Sequence, residues 1–215
     1  MKERDFLELA GREPVITARQ VAAILGDRRY SKVYLHRLVK RGLIRRLKRG
    51  FYTVYDDPVV YATYIYHPSY ISLWYAFHHH GTTTQLPRLI EVMTSRNGAI
   101  EEIEYIRTRD LWGYHTLRYG GFEVFMADLE KAVIDAVVTE RLPLDEIQAA
   151  VRECNLKRLE EYALRTDLST IKKVGYVAET AGHFMEALYD RIKGDRNYVR
   201  FFAAEKGNRW RVVGD

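Results

Sequence analysis

The chain has 215 residues, of which 47% are hydrophobic and 29% are charged, and its formal net charge is +5. This balance is typical of a globular protein and argues against disorder. No run of about 18 apolar residues is present and the first residues are charged, so we expect neither a membrane span nor a signal peptide, and a cytoplasmic protein. The single cysteine, Cys154, excludes an intrachain disulfide framework.

The positive charge is concentrated at the N-terminal end. Residues 1–57 contain 14 Lys and Arg against 7 Asp and Glu, whereas the remainder contains 20 against 22. No Asp or Glu lies between Asp27 and Asp56. Such asymmetry is typical of a module that binds a polyanion, joined to a part with another role.

The N-terminal segment predicts three short helices in succession. The first, RDFLELAGRE, carries Phe6, Leu7 and Ala10 on one face and is broken by Gly11 and Pro14. Thr17 and Gln20 have capping-box spacing, which predicts a second helix of about nine residues that ends before Gly26. A third helix is predicted from Tyr30 or Ser31 to Arg41, ended by Gly42.

Two short strands are predicted after the third helix, in LIRRLKRGFYTVY, with a turn at Lys48, Arg49 and Gly50. Three helices followed by a basic hairpin are the order of a winged helix-turn-helix, whose third helix enters the major groove of DNA. The sequence therefore predicts a DNA-binding domain over residues 1–58.

The outward face of the third helix supplies the candidate DNA contacts. Leu35, Leu38 and Val39 share the inward face, so the cations lie opposite. Arg37, central on that face, is the first choice for reading a guanine, while the other cations would contact phosphates. The candidates in the helices and hairpin are Arg28, Arg29, Tyr30, Lys32, Val33, His36, Arg37, Lys40, Arg41, Arg46, Lys48 and Arg49.

Other interpretations stay open at this point. Val33 could touch a thymine methyl or pack under the hairpin. The charge run could be a solvated helix face, although solvated faces normally mix both signs. RNA is the nearer rival to duplex DNA, but the aromatic spacing of common single-strand readers is absent.

Residues 59–215 predict a second, α+β domain. Asp57 and Pro58 begin a linking helix in PVVYATYIY, and Ser69 caps a helix in SYISLWYAFHHHG that Gly81 closes. Alternating runs at LIEVMT, EIEYIRT, HTLRYG and FEVFMA predict an antiparallel sheet of about four strands, with Gly120-Gly121 as a hairpin turn. Helices follow from ADLEKAVIDAVV through STIKKVGYVAETAGH, and a terminal hairpin is predicted to turn at about Lys206 to Asn208.

Residues that suggest chemistry have simpler explanations. His78, His79 and His80 are consecutive, so on a helix they point about 100° apart and cannot converge on one metal ion. We expect no metal site and no cofactor; the histidines would cap a helix end, with one of them buried and hydrogen-bonded.

The other ionisable cluster is Asp128, Glu130, Lys131 and Asp135. Helix capping and surface pairs explain these four, and no phosphate-binding loop or nucleophile elbow is present. We therefore expect no enzyme activity.

The aromatic segment from Tyr61 to Phe77 has two interpretations. Its rings recur at helical spacing, which favours a core between the linking helix and the sheet over a cofactor or partner surface.

Several stretches, in the same order, resemble the AbiEi-like antitoxins, also described as predicted transcriptional regulators of viral defence systems. These are LVKRGLIRRLKRGFYTV, SYISLWYAFHHHG, LPRLIEVMT, FMADLEKAVIDAV, IKKVGYVAETAG and NRWRVV. The resemblance extends over nearly the whole chain and implies a winged helix followed by an α+β antitoxin domain.

The resemblance also implies function. The winged helix would bind inverted repeats in its own promoter and repress it, and the second domain would counteract a cognate nucleotidyltransferase-like toxin in the type IV manner. The recognition helix and wing of the family match Tyr30 to Arg41 and Lys48 to Tyr52, which adds Tyr52 to the candidate DNA contacts. Since one winged helix covers only a half-site, we expect a homodimer on the DNA.

Overall fold

The computed structural model describes residues 2–202, 204–205 and 207–214. These form two compact units. The first contains residues 1–71, 88–111 and 116–125, and the second contains residues 72–87, 112–115 and 126–215. The sheet predicted for the second domain thus belongs largely with the winged helix. The predicted domain boundary at about residue 58 stays a prediction, because compactness does not measure which segment folds alone.

Three helices and a small sheet open the first unit. The helices are α1 (Glu3–Ala10), α2 (Ala18–Leu25) and α3 (Arg28–Lys40), and the strands are β1 (Ile16–Thr17), β2 (Arg45–Lys48) and β3 (Phe51–Thr53). The strand order is β1-β3-β2, and β3 pairs antiparallel with both neighbours. The predicted winged helix is therefore present. It has one additional strand, β1, which is only two residues long and so shows no strand pattern in the sequence.

Local signals explain where the helices begin. Thr17 and Gln20 form the predicted capping box, in which each side chain binds the other residue's backbone N–H. The third helix begins at Arg28, two residues before the predicted start, because Asp27 accepts hydrogen bonds from the N–H groups of Arg29 and Tyr30. The additional residues at its start include Arg28 and Arg29, which therefore belong to the helix.

A small apolar core holds the three helices together. Phe6 of α1, Val21 of α2, and Leu35 and Leu38 of α3 are at most 1% exposed. Burial of these side chains fixes which face of α3 is turned inward. The face that carries the cations is therefore left to solvent.

The remainder of the first unit contains the linking segment and most of a larger sheet. Its elements are α4 (Pro58–Tyr61), a 3₁₀ helix (Ala62–Tyr64), β4 (Ser69–Ile71), β5 (Ile90–Thr94), β6 (Gly98–Ile100), β7 (Ile103–Arg107), β8 (Tyr114–Tyr119) and β9 (Phe122–Ala127). The order β6-β7-β5-β4-β9-β8 gives six strands where four were predicted. Since β5 and β7 pair in parallel, the sheet is mixed.

The predicted helix start at Ser69 was wrong. Ser69–Ile71 forms the buried strand β4, which pairs with β5, and helix α5 (Leu73–His79) begins after Ser72. A continuous run of apolar residues is compatible with a buried strand as well as with a helix, so the pattern alone could not decide.

The second unit is mainly helical. It contains α5, α6 (Leu129–Thr139), α7 (Leu144–Glu153), α8 (Leu156–Ala163), α9 (Leu168–Thr180), α10 (Glu186–Ile192) and the strands β10 (Val199–Arg200) and β11 (Val212–Val213). The terminal strands pair in parallel, so the predicted hairpin was wrong. Lys206, in its predicted turn, lies outside the described residues. Among the described residues, every helix is too short or too polar to cross a bilayer.

Candidate nucleic-acid interface

Helix α3 presents one apolar face and one cationic face. Ser31, Leu35 and Leu38 are buried, as predicted for the inward side, and Val39 packs partly against them. The outward positions are exposed; they are Arg28, Arg29, Tyr30, Lys32, Val33, His36, Arg37, Lys40 and Arg41. The sequence prediction of which α3 residues face solvent is therefore confirmed, while their contact with DNA stays a prediction.

Residues four apart on α3 lie above one another, so the exposed side chains form parallel rows. Arg28, Lys32 and His36 form the row that faces the wing, because all three line one groove. Arg37 lies outside that groove, one turn after Val33, which is 48% exposed. Val33 is thus not covered by the hairpin, and the alternative that it packs there is disfavoured.

The groove between α3 and the wing has a volume of about 440 Å³. It is lined by Ala18, Arg28, Lys32, His36, Val39, Arg46, Arg49, Gly50 and Tyr52. Four of these nine residues are cations and none is acidic. The two wing strands are joined by a tight turn in which Gly50 has φ +85°, a conformation that favours glycine.

A neighbouring cavity of about 410 Å³ lies between α2 and α3. Its lining residues are Ala18, Arg19, Ala22, Arg28, Ser31 and Lys32. It shares Ala18, Arg28 and Lys32 with the groove, so the two concave surfaces adjoin. Together they form a positively charged surface on one side of the winged helix, suited to a phosphate chain.

Arg45 and Arg46 are successive residues of β2 and point in opposite directions, and the register of β2 against β3 shifts between Arg46 and Lys48. Arg46 and Arg49 are exposed and line the groove, and Tyr52, the cross-strand partner of Arg46, lines it as well. Arg45 and Lys48 are only partly exposed and contact other parts of the first unit. The cations of the wing therefore fall into two groups.

The guanidinium of Arg45 contacts oxygen atoms of Glu101 and Asp56. Its Nη2 lies 2.6 Å from Glu101 Oε2, and its Nη1 donates to the carbonyl oxygen of Asp56 at 2.9 Å. The hydroxyl of the buried Tyr61 donates to the same Glu101 oxygen at 3.3 Å. Burial raises the pKa of Tyr61 to about 12, which Glu101 reinforces and Arg45 opposes.

Lys48 lies against two aromatic rings. Its Nζ is 3.7 Å from the ring centroid of Tyr66, 4.2 Å from that of Phe51, and 3.5 Å from the carbonyl oxygen of Ile65. These distances are those of cation–π contacts. The sequence did not reveal this arrangement, because Tyr66 belongs to the linking segment. The predicted phosphate contact of Lys48 stays a prediction.

Arg41, at the end of α3, forms an ion pair with Glu3 of α1, although both side chains remain partly exposed. An exposed pair of this kind contributes little free energy and can exchange for a phosphate. Arg41 therefore keeps its place among the candidate contacts.

The histidine run lies at the C-terminal end of α5. In the part of the chain that the structure describes, no three His, Cys, Asp or Glu residues are arranged to hold an ion. His80 is half-buried at the end of α5, and its Nε2 lies 2.8 Å from the carbonyl oxygen of Ala127. Partial burial lowers the pKa of His79, and His80, His115 and His78 lower it further.

The cluster around α6 is buried, so the expectation of surface pairs was wrong. Glu130, Lys131 and Asp135 are at most 2% exposed, and Lys131 forms an ion pair with Asp135. Asp128 occupies the N-cap position, but its side chain does not cap the helix. Its carboxylate instead accepts a hydrogen bond from Tyr162 at 2.7 Å and lies 2.8 Å from His115 Nδ1.

Part of the aromatic segment is core. Tyr61, Tyr70 and Phe77 are fully buried, whereas Tyr64 is 36% exposed. The favoured interpretation is confirmed for the three buried rings. Tyr66 is intermediate because it faces Lys48.

A solved structure has a similar fold. It is described as the crystal structure of RV2827C protein from Mycobacterium tuberculosis, with a TM-score of 0.62 and 14% sequence identity over 97% of this chain and 89% of that chain. At this identity the likeness shows the fold alone. A comparison with curated proteins gave no match.

The family comparison concerns the segment that forms the winged helix. Residues 4–55 match a family model described as "Transcriptional regulator, AbiEi antitoxin". This range includes α1 except its first residue, α2, α3, both wing strands and all the candidate DNA contacts. The resemblance stated from the sequence is therefore confirmed over residues 4–55, where this chain is similar to the AbiEi antitoxin family of transcriptional regulators.

Proposed function

We propose that the protein is a sequence-specific transcriptional regulator that binds duplex DNA through α3 and the wing. The observation that carries the proposal is the groove between them, in which cations of both elements converge without an acidic residue. A solvated helix face would not need a second cationic element opposite it. The family description over residues 4–55 supports the same class of function.

The binding mode follows from the geometry of the winged helix. Helix α3 lies in the major groove, where Arg37 is placed to reach a base edge, with Val33 one turn away on the same exposed side. The groove cations Arg28, Lys32, Arg46 and Arg49 contact phosphates, and Tyr52 lies beside them. Arg29, Lys40 and Arg41 extend the phosphate contacts along α3.

One such unit covers a half-site, so the operator is an inverted repeat bound by a homodimer. We place this repeat upstream of the protein's own gene, as an autorepressor requires. Footprinting on that upstream DNA tests the proposal. Protection of two half-sites related by dyad symmetry supports it, and protection that follows no repeat contradicts it.

A second candidate function is neutralisation of a toxin, which the word antitoxin in the family description favours. The partner would be a nucleotidyltransferase-like toxin, and DNA binding would only set the supply of antitoxin. Coexpression with the product of an adjacent toxin gene tests this. Rescue of growth by a chain whose groove cations are removed would separate the antitoxin role from DNA binding.

We expect the affinity for duplex DNA to fall steeply with salt. About six phosphate contacts predict a slope of log K against log salt of about −5. Titration of a labelled duplex from about 50 to 200 mM salt measures this slope. A slope near zero would remove the electrostatic basis of the proposal, and equal or tighter binding of a matched RNA duplex would shift the target to RNA.

We expect Arg37→Gln to relax sequence preference at one base position of each half-site. A bidentate contact to guanine is worth about 1–3 kcal/mol of discrimination, so the preference there should fall about tenfold or more. Binding selection on a randomised half-site measures the change. Lys40→Gln, on the same helix, serves as the control and should weaken all sequences alike.

A further inference from the structure

Arg45 and Arg46 are adjacent in the sequence but lie in different surroundings. Arg46 lines the groove with Tyr52, whereas Arg45 turns to Glu101 and to the backbone of Asp56. Glu101 lies between β6 and β7, two strands of the six-stranded sheet, so this contact joins the wing to that sheet.

Lys48 and Arg49, at the tip of the wing, repeat the same division. Arg49 is exposed and lines the groove, whereas the ammonium of Lys48 lies against Phe51 and Tyr66. Tyr66 is in turn packed edge-on against Tyr105 of β7, with ring centroids 4.7 Å apart. The contact between Lys48 and Tyr66 therefore also connects the wing to the six-stranded sheet.

We propose that Arg45 and Lys48 are positioning residues that fasten the wing to the sheet through Glu101 and Tyr66, and so set the width of the DNA-binding groove. The proposal rests on the proposed function for its effect on DNA. It assigns no DNA contact to either residue, although both belong to the basic run.

The physical reason is that β2 is an edge strand of a three-stranded sheet. A short edge strand has a backbone partner on one side only, so its tip is held weakly unless side chains fix it. The ion pair with Glu101 and the cation–π contact with Tyr66 supply two attachments on the side away from the groove. A fixed wing does not lose conformational freedom when it binds, which favours affinity.

Glu101→Gln is the decisive variant because charge and position predict opposite results. The substitution removes an acidic group from the first unit, so a model based on net charge alone predicts tighter binding of DNA. If the wing is fastened through Glu101, binding should weaken by about three- to tenfold. Glu102→Gln removes the same charge from the adjacent exposed residue and should not weaken binding.

Two variants at Tyr66 test the second attachment without changing any charge. Tyr66→Phe keeps the ring under Lys48 and should keep the affinity, whereas Tyr66→Leu removes the cation–π contact and should weaken binding by a similar three- to tenfold. The salt slope should stay at its wild-type value in both. By contrast, Arg49→Gln should make the slope less steep by about 0.9.

Hydrogen–deuterium exchange in the free, full-length protein supplies a readout that does not depend on DNA. Amides of residues 45–53 should exchange faster in Glu101→Gln and Tyr66→Leu than in wild type. In Glu102→Gln their exchange rates should equal those of wild type. Faster exchange in a protein that never binds duplex DNA would refute the proposed function but keep the attachment. Unchanged exchange together with unchanged affinity, or a loss of salt slope in Tyr66→Leu, would overturn the attachment.

Discussion

Replacing Arg28, Lys32, Arg46 and Arg49 together by glutamine is expected to abolish useful affinity for DNA. All four line the groove between α3 and the wing. Each phosphate contact contributes about −0.9 to the salt slope, so the slope should change from about −5 to about −2. At 0.1 M salt the loss corresponds to an affinity reduction on the order of a thousandfold. Titration of the operator duplex at several salt concentrations measures both quantities.

The matched control removes the same charge from the second unit. Arg152, Lys157, Arg191 and Arg196 are exposed there, and their replacement by glutamine lowers the net charge equally. The control should retain the wild-type slope and lose little affinity, because none of these four residues lines the groove. If both variants lose affinity to the same extent, binding follows net charge and the groove is not the site.

Replacement of Asp135 by alanine is expected to destabilise the protein by about 3–5 kcal/mol. Asp135 forms an ion pair with Lys131 inside the second unit, where both residues are at most 2% exposed, and it accepts a hydrogen bond from Ser72 at 2.8 Å. The substitution removes a carboxylate from the buried ammonium of Lys131. Water cannot take the place of that carboxylate at low cost in free energy. Chemical denaturation monitored by circular dichroism measures the change.

A double-mutant cycle distinguishes the ion pair from simple loss of packing. Lys131→Met alone should also be costly, because it leaves the buried carboxylate of Asp135 behind. The double variant Lys131→Met with Asp135→Leu should cost much less than the sum of the single changes, since it removes both charges of the pair together. Strict additivity would contradict the interpretation of these residues as a buried, mutually dependent pair.

The elements of the winged helix were largely predictable because their signals are local. The capping box of Thr17 and Gln20, the inward spacing of Leu35 and Leu38, and the glycine at the wing turn each involve neighbours within a few positions. The start of α3 was missed although Asp27 is a strong N-cap residue. The signal for this helix start is therefore local and present in the sequence.

The sheets were less predictable because strand pairing is not local. LIEVMT and EIEYIRT indicate strands, but nothing in either segment states that β5 and β7 lie side by side in parallel. The parallel pairing of β10 and β11 was missed for the same reason. Short strands such as β4 carry too few residues to separate a buried strand from a helix.

The candidate site was predictable as a surface but not in its division of roles. The acid-free run correctly indicated exposed cations, since Arg28, Arg37 and Arg49 are all open to solvent. Alternation along a strand could have shown that Arg45 and Arg46 face opposite ways. Arg45 contacts Glu101 and Lys48 contacts Tyr66, and both of these partners are remote from the wing in the sequence.

The unit that contains the winged helix is built from separate stretches of the chain, because residues 88–111 and 116–125 belong to it together with residues 1–71. A peptide truncated after residue 58 would keep every cation of the groove but would lack Tyr66 and Glu101. Its edge strand β2 would therefore lack the side-chain contacts of Arg45 and Lys48 with these two residues. If the wing is fastened as proposed, weak affinity measured with such a fragment would underestimate that of the intact protein.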